Sequence, residues 1–533
     1  MNLREYVKRN GLLWVAVFLF VGLCHGSMLL GGTVGIDTED MIVRRDYFYE
    51  SWLITGRQGL VLLKKLMGNI IFSPYLAGVL TLVFLTLACI LWTWLFACIT
   101  GKENKAAAFV FSALLNVSSI LTEQLYFKLQ SAEISLSFCL AAAALSLVFW
   151  GRKLLADKEK KRYGRICLLG AAALNLVTFS VYQVMVALFI FGAAACFFLY
   201  YFFGEKESEE GAGKRYWGFI GIYAGVFLVS FACNQIITDL FFSGSDYLSS
   251  QMQWLNRPVG DCLRDIGLHM EYVLIGGQAY RSVLRLLHAV GIRSGMVGGQ
   301  IYYDNNYGVF CVLVCIAAFC FVKKRKRKGA LPAAVGVAGC LLAPFYMTFF
   351  CGGEQLIRSQ LVLPFALAFL AYALLLFFPR RLPAYFVLGL CLLTGYQQMQ
   401  YTLRLNYTDQ VRYEGDVRLA AAIMEEINVL EDEERSYPVA FIGSRPADLN
   451  NACLRGNPIG YSFFEWDTYV EPVGYYSTQR ILGFMHTLGA DYTQADREQT
   501  AEAAEYGQGM ANWPGEGSVV LHNGVIIVKL SDF

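Results

Sequence analysis

The sequence predicts a polytopic α-helical membrane protein with a small α/β domain at its C-terminal end. Of its 533 residues, 56% are hydrophobic and only 16% are charged, whereas soluble domains carry about 25% charged residues. About eleven apolar stretches reach the roughly 20 residues that a bilayer core needs. After residue 400 these stretches stop, and shorter helical and strand patterns follow. The bulk of the chain is therefore expected to face lipid.

The predicted spans follow one another with short connections. The two spans in the middle of the chain are separated only by Tyr182 and Gln183. The first span is long and lacks a small-residue cleavage site, so we expect it to remain as a helix rather than to be removed as a signal peptide. The spans are 11–31, 75–99, 106–122, 132–150, 165–181, 184–203, 216–242, 306–322, 330–350, 360–378 and 383–400.

Lysine and arginine residues in the short loops predict the orientation. With about eleven spans, all the basic loops fall on one side, which is the cytoplasmic side by the positive-inside rule. The N-terminus is then cytoplasmic and the C-terminus extracytoplasmic. The block KKRKRK at 323–328 lies between two spans, so we interpret it as a topology anchor and not as a nucleic-acid patch. A net charge of +2 gives no further reason to expect nucleic acid.

This topology predicts two domains. Residues 1–400 form the membrane domain, with extracytoplasmic loops 32–74 and 243–305, and residues 401–533 form the extracytoplasmic α/β domain. In the second loop, 281–291 has the pattern of an interfacial helix. The C-terminal elements are a helix over 410–430, a buried strand over 438–443, helices over 475–488 and 494–510, and a hairpin over 518–530 with Asn523-Gly524 as its type I′ turn.

An acidic segment follows the first span. It contains Asp37, Glu39 and Asp40, and Arg44 and Arg45 come directly after them. A charge near a membrane is costly unless it faces water or a partner. In a catalytic interpretation, Asp37 or Asp40 is the general base that takes a proton from an acceptor hydroxyl, while another carboxylate orients the acceptor or holds a divalent cation, the one candidate cofactor.

The alternative for this segment is a purely structural one. Asp37 or Thr38 would cap a short helix whose first turn is acidic, as the helix dipole favours. Asp40 and Arg44 would form an i,i+4 pair in either case. A cap and a catalytic base are compatible, so both interpretations stay open at this point.

Four arginines near the extracytoplasmic membrane ends are candidates for binding a phosphate, since a guanidinium binds phosphate in a bidentate manner. They are Arg358, Arg44, Arg45 and Arg57. For Arg358, an ion pair with Glu354 is the alternative. Further candidate substrate contacts are polar residues at the outer turns: Glu123, Lys128, Tyr182, Gln183 and Glu354. Lys128 also fits a local charge set with Glu123 and Glu133, and a turn needs polar residues in any case.

The sequence lacks the motifs that are typical of several other classes of protein. The five histidines are scattered, so no metal cluster is indicated. The sequence has no GxSxG, P-loop or dinucleotide-binding glycine motif, which argues against an ATP-driven mechanism. No span carries a run of ionisable residues, which argues against an ion channel or a proton-coupled carrier.

The acidic motif in the first outer loop, about eleven spans and an outer α/β domain together resemble the GT-C membrane glycosyltransferases. Within that group, GIDTEDMIVRRDYFYESWLITGRQG (35–59) resembles the bacterial glucosyltransferases that modify O-antigen and related glycans. Trp52, Gly56 and Arg57 of this stretch, VYQ at 181–183 and SFFEWD at 462–467 strengthen the likeness.

This resemblance implies the function. A hexose, expected to be glucose, would pass from a polyprenyl-phosphate donor to a cell-surface glycan on the outer face of the cytoplasmic membrane. The resemblance carries the acidic catalytic role onto Asp37, Glu39 and Asp40. It leaves open which of them is the base and whether a metal takes part.

Other functions stay open at the level of the sequence. A lipid-linked glycan polymerase or ligase would keep the arginines without needing the acidic segment. A transporter or flippase would be expected to show two similar halves, and no repeat is visible. A non-catalytic membrane partner that presents the C-terminal domain is the remaining alternative.

Overall fold

The computed structural model describes residues 1–204, 212–242, 251–276, 301–325, 330–379, 381–430, 437–466 and 478–532. Contacts between Cα atoms divide the chain into two compact units. The first unit comprises Met1–Leu29, Tyr49–Leu125 and Gln130–Thr402. The second comprises Leu30–Phe48, Tyr126–Leu129 and Leu403–Phe533. The segment with the acidic motif is thus assigned to the same unit as the C-terminal residues.

Helices account for most of the described chain. In the first part of the chain they are Leu3–Arg9, Gly11–Leu30, Thr38–Val43, Arg45–Ile54, Gln58–Leu66, Pro74–Thr100, Lys105–Asn116, Ser119–Tyr126, Lys128–Ala156, Lys161–Phe179, Val184–Phe203 and Ala212–Phe241. They continue with Gln253–Asn256, Val259–Ile275, Tyr307–Arg325, Ala330–Leu341, Tyr346–Cys351, Val362–Phe377, Arg381–Leu430, Thr478–Thr487 and Arg497–Gly507. Short 3₁₀ turns cover Ala343–Phe345 and Ile357–Ser359.

Six of the described helices are long and apolar enough to cross a membrane, and eight spans result if each of two bent helix pairs is one span. The bends are 54° and 55°. The described helices are those of a membrane protein. Three of the predicted spans form helices outside this set: Lys161–Phe179 begins with a basic turn, Val362–Phe377 has 16 residues, and 383–400 is the first part of the long helix Arg381–Leu430. The number eleven therefore stays a prediction.

Aromatic rings and small residues hold the first unit together. Trp92 lies at its centre, fully buried, with its ring centroid 5.2 Å from that of Phe365 and its indole N–H donating to the carbonyl oxygen of Phe138 at 3.1 Å. At Gly78, a Cβ atom would lie 2.1 Å from the carbonyl oxygen of Leu29. The close approach of these two helices therefore requires glycine.

The second unit contains a three-stranded mixed sheet in the order β1-β3-β2, where β1 is Val439–Ile442, β2 is Val519–His522 and β3 is Val525–Lys529. The strands β1 and β3 are parallel, and β2 and β3 are antiparallel. The predicted hairpin is confirmed: Asn523 and Gly524 have φ values of 47° and 78°, as a type I′ turn requires. The sheet core is apolar because every residue of β1 and β3 is buried.

The other predicted C-terminal elements agree with the structure in kind and differ at their ends. The predicted helix over 410–430 is the last part of Arg381–Leu430. The helix predicted from residue 494 begins at Arg497, because Asp496 caps it in a reciprocal capping box with Gln499. The predicted interfacial helix over 281–291 lies outside the described residues.

Candidate active site

The acidic segment of the second unit is held in an unusual backbone conformation. Asp37 has a φ of 69°, in the left-handed region that few residues other than glycine adopt. The helix Thr38–Val43 begins directly after it. The side chain of Asp37 makes no capping hydrogen bond, and the hydroxyl of Thr38 is buried without a hydrogen-bond partner. The expectation that either side chain caps this helix is therefore wrong.

The Asp37 side chain turns instead to Arg480, which lies on the helix Thr478–Thr487. The Nη2 atom of Arg480 is 3.3 Å from Oδ1 of Asp37, and Nη1 donates to Oε1 of Glu39. The side chain of Glu39 is fully buried and that of Asp37 is 34% exposed. One guanidinium thus joins a buried carboxylate to one that reaches the surface of its unit.

The third carboxylate has its own cation. The predicted pair between Asp40 and Arg44 is confirmed, with Nη2 and Nε of Arg44 at 2.6 and 3.2 Å from Oδ1 of Asp40. With its amide oxygen turned toward Arg44, Gln479 accepts a hydrogen bond from Nη1 at 2.6 Å. Arg45 pairs with its exposed neighbour Asp46 at 3.1 Å. Of the two arginines in this segment, Arg44 belongs to the acidic cluster.

Burial dominates the electrostatics of Glu39. Loss of hydration raises its pKa to about 8, and the charges of Asp37 and Asp40 act in the same direction, while Arg480 acts against them. Its Oε2 atom is buried without a hydrogen-bond partner. Glu39 is therefore suited to hold a proton near neutral pH, whereas a reacting hydroxyl would reach Asp37 more easily than either of the other two carboxylates.

Three side chains of the second unit form hydrogen bonds with the backbone that leads into the acidic segment. The Lys128 ammonium donates to the carbonyl oxygens of Gly31 and Thr33 at 2.9 and 2.8 Å. The N–H of Ile36 donates to the Tyr126 hydroxyl at 3.0 Å. Arg412 donates to the carbonyl oxygen of Val34 at 3.0 Å. The loop therefore has little freedom to move the carboxylates that follow it.

The same contacts revise the interpretation of the second outer turn. Lys128 holds the backbone of the acidic loop, so a supporting role fits it better than the predicted contact with substrate. In the first unit, Glu133 pairs with the buried Lys64 at 2.8 Å, and Glu123 accepts a hydrogen bond from Tyr302 at 2.5 Å. Each of these three residues thus has a partner elsewhere in the chain, and the local charge set stays a prediction.

Arg412 is the centre of a buried network that sequence reasoning missed. It donates to Asp409 and, at 3.4 Å, to Asp416, and Asp416 accepts from the Ser462 hydroxyl at 2.6 Å. Burial raises the pKa of Asp416 to about 6, against the effect of Arg412. The spacing of Asp409, Arg412 and Asp416 places all three on one helical face, and this spacing is the signal in the sequence that could have revealed the network.

Three of the polar candidates of the first unit, Arg57, Tyr182 and Gln183, gather around one turn. The Arg57 guanidinium lies 5.3 Å from the centroid of the Tyr182 ring, and the Tyr182 hydroxyl is 2.7 Å from that of Ser359. Gln183 donates to the carbonyl oxygen of Thr55 at 3.2 Å. The VYQ turn and the segment around Arg57 are therefore packed together, and Arg358 lies in the adjacent 3₁₀ turn Ile357–Ser359.

Glu354 belongs to a different set of contacts. Its Oε1 atom lies 2.5 Å from the Tyr303 hydroxyl, whose oxygen is also 2.9 Å from Oε1 of Gln360, so the single hydroxyl proton serves one of these two acceptors at a time. Residues 354–356 are not helical, so the spacing between Glu354 and Arg358 is not that of a helical i,i+4 pair. His269 completes the cluster with contacts to Gln360 at 3.1 Å and Thr348 at 2.7 Å.

Residues 26–375 match the family described as Glucosyl transferase GtrII. The chain belongs to this family. The family is that of O-antigen glucosylation, which confirms the resemblance seen in the sequence. As a GtrII-family chain it is a glucosyl transferase, and Gln479 and Arg480 lie beyond the matched residues. Comparison with curated proteins and with solved structures gives no match.

No group of three or more metal-ligating side chains is arranged to hold a metal ion within the residues that the structure describes. The carboxylates of Asp37, Glu39 and Asp40 are instead in contact with the guanidinium groups of Arg480 and Arg44. The divalent cation stays a prediction.

Proposed function

We propose that this GtrII-family chain transfers glucose from a polyprenyl-phosphate donor to a cell-surface glycan acceptor. The observation that carries the proposal is the state of Asp37: a carboxylate with its backbone in the left-handed region, paired with Arg480, and 34% exposed. Strained backbone of this kind tends to occur where a side chain must be aimed. Family membership supplies the glucosyl transfer, and the donor and acceptor classes are the proposal.

The proposed chemistry is a single displacement. An Oδ atom of Asp37 takes the proton of the acceptor hydroxyl while the hydroxyl oxygen attacks C1 of the glucose. The bond between C1 and the phosphate oxygen breaks, and polyprenyl phosphate leaves with the electron pair. The energy comes from the glycosyl phosphate ester, so the step needs no nucleotide.

Asp37 suits the role of base better than its two neighbours. Glu39 is fully buried. Asp40 is 10% exposed and holds two nitrogens of Arg44. A general base must come within hydrogen-bond reach of the hydroxyl it deprotonates, and Asp37 meets that condition with the least rearrangement.

Arg57 suits the role of phosphate ligand. Among the described residues it has the Tyr182 ring as a neighbour and no carboxylate partner, and its Nε atom is buried without an acceptor. Arg44 and Arg45 are already paired with Asp40 and Asp46. A guanidinium that stacks on an aromatic ring keeps its N–H groups available for a phosphate. Arg358, in the turn beside Ser359, is the second candidate.

The proposal includes the GT-C architecture and its topology. With eleven spans, the N-terminus is cytoplasmic, and the acidic segment and residues 401–533 face the outside of the cytoplasmic membrane. The positively charged loops support this orientation. The donor lipid would lie in the bilayer and the glycan acceptor would come from the outer side.

The test uses single variants of the full chain with Asp46, 82% exposed, as the matched control. Purified Asp37→Asn, Asp40→Asn and Asp46→Asn proteins are given polyprenyl-phosphate [14C]glucose and membranes from cells that lack the protein. We expect Asp37→Asn to lose about 100-fold or more of the transfer rate, Asp40→Asn to lose less, and Asp46→Asn to match the wild type. Full activity of Asp37→Asn would remove the acidic segment from the mechanism.

A further inference from the structure

Arg480 contacts both Asp37 and Glu39 with its guanidinium group. We infer that Arg480 is a positioning residue for glucosyl transfer: by bridging the two carboxylates, it aims Asp37 at the acceptor hydroxyl. This inference rests on the proposed function and deepens it. It assigns a role to the C-terminal part of the chain, beyond the residues that match the family.

The two contacts use different nitrogens of one rigid group. Nη1 of Arg480 donates to Glu39 and Nη2 lies 3.3 Å from Asp37. A guanidinium is planar, so fixing one nitrogen also fixes the direction in which the other points. A lysine ammonium has no such fork and would leave the second carboxylate free to rotate.

The two carboxylates differ in their exposure, which suggests a different role for each. Glu39 is fully buried, and its one satisfied oxygen is the one that accepts from Arg480. Asp37 stands at the more exposed end of the same bridge. The buried end therefore holds the guanidinium in place, and the exposed end receives a defined orientation.

The helix that carries Arg480 is itself firmly packed. Ile481, Phe484 and Met485 are fully buried, and the Phe484 ring stacks on Phe463 at 4.3 Å between centroids. Gly483 faces the acidic segment, where a Cβ would be in ordinary contact at 3.6 Å from Cγ of Glu39. The neighbouring Gln479 meets Arg44, the partner of Asp40. Two consecutive side chains of one helix thus support two of the carboxylate–arginine pairs.

The test compares Arg480→Ala and Arg480→Lys with Arg497→Ala, an exposed arginine of the same unit. Turnover of polyprenyl-phosphate [14C]glucose is measured per folded protein in nanodiscs, with KM for the donor determined separately. We expect Arg480→Ala to lower kcat by about 100-fold, as a misplaced reacting group does, with KM for the donor within twofold of the wild type. Arg480→Lys should be intermediate, and Arg497→Ala should match the wild type.

A pH profile and chemical rescue separate positioning from mere structural support. Arg480 faces Asp37 and Glu39, and Asp40 and Tyr126 also act on Glu39 or lie in electrostatic contact with it. Without the cation, Asp37 should lose its proton only at higher pH, so the acid limb of the kcat profile should shift upward in Arg480→Ala. Added guanidinium should restore part of the kcat of Arg480→Ala and none of Asp37→Asn.

The outcomes distinguish this inference from the proposed function. If Asp37→Asn is inactive while Arg480→Ala keeps the wild-type kcat and pH profile, the inference is overturned and the proposed function stands. If Asp37→Asn is fully active, the role proposed for Asp37 as the base fails, and the inference fails together with it. Should Arg480→Ala not fold, Arg480→Lys decides: a wild-type kcat and pH profile in this variant would overturn the inference.

Discussion

Arg412 donates a hydrogen bond to the backbone carbonyl oxygen of Val34 at 3.0 Å, so a fully buried cation of the C-terminal segment holds the loop that leads into the acidic motif. The same guanidinium contacts Asp409 and Asp416, which are also buried. Both carboxylates and the carbonyl oxygen of Val34 are paired with the same buried guanidinium, so all three lose a partner if Arg412 is removed. The network therefore sets the stability of the second unit as well as the position of the loop.

Replacing Arg412 by Met should be strongly destabilising. The change removes the cation that pairs with the buried carboxylates of Asp409 and Asp416, and breaking a buried pair in this way typically costs about 3–5 kcal/mol. We expect a clear drop in the thermal midpoint of the purified protein. The control is Arg418→Met on the same helix, where the side chain is exposed, and an equal midpoint for the two variants would contradict the network.

Gly35 allows the Tyr126 ring to approach the loop. A Cβ at Gly35 would lie 2.8 Å from Cζ of Tyr126, whose hydroxyl accepts from Ile36. Gly35→Ala should therefore cost about 1–3 kcal/mol of stability and lower glucosyl transfer, because the acidic segment follows directly. Gly415→Ala, at a helical site with open space, should be neutral or stabilising by up to about 1 kcal/mol.

The buried carboxyl of Glu39 predicts how stability varies with pH. Its pKa in the folded protein, about 8, is raised above the ordinary value of 4.5 by burial. Between these two values the unfolded chain binds fewer protons than the folded one, so this residue lowers stability as pH rises from about 4.5 to 8. The thermal midpoint of Glu39→Gln should therefore gain on that of the wild type as pH rises through this window.

The matched control for that measurement is Glu498→Gln, an exposed position on the surface of the second unit. Its midpoint should run parallel to the wild type across the same pH range. A Glu39→Gln midpoint that also runs parallel would show that Glu39 does not take up a proton on folding.

Arg57 should act on donor binding. Its guanidinium lies over the Tyr182 ring, 5.3 Å from the ring centroid, and has no carboxylate partner among the described residues. Arg57→Ala should raise KM for polyprenyl-phosphate glucose about tenfold or more, as expected for a lost charge-assisted contact. For Arg57→Lys we expect a KM that lies closer to that of Arg57→Ala than to that of the wild type, since an ammonium lacks the planar fork of a guanidinium. The exposed Arg4→Ala serves as control; equal KM values in Arg57→Ala and Arg4→Ala would exclude the role.

Linear patterns in the sequence were enough to predict the membrane character, the family resemblance, the C-terminal hairpin, the buried strand and the Asp40–Arg44 pair. These depend on composition, local periodicity and spacing within one turn of a helix, which a linear pattern contains. The same local reasoning assigned a capping role to Asp37 or Thr38, because short-range rules favour it where no distant partner is known.

The partner of Asp37 and Glu39 became known from the three-dimensional fold. Arg480 and Glu39 are 441 positions apart in sequence, and nothing in the local pattern around either residue identifies the other. Lys128, Tyr126 and Arg412 likewise meet the loop before Asp37 only because the chain folds back on itself. Contacts between residues so far apart in sequence depend on how whole helices pack. A charge that becomes buried in this packing needs a partner of opposite charge nearby. The spacing of residues along the chain does not show which distant residue this partner is.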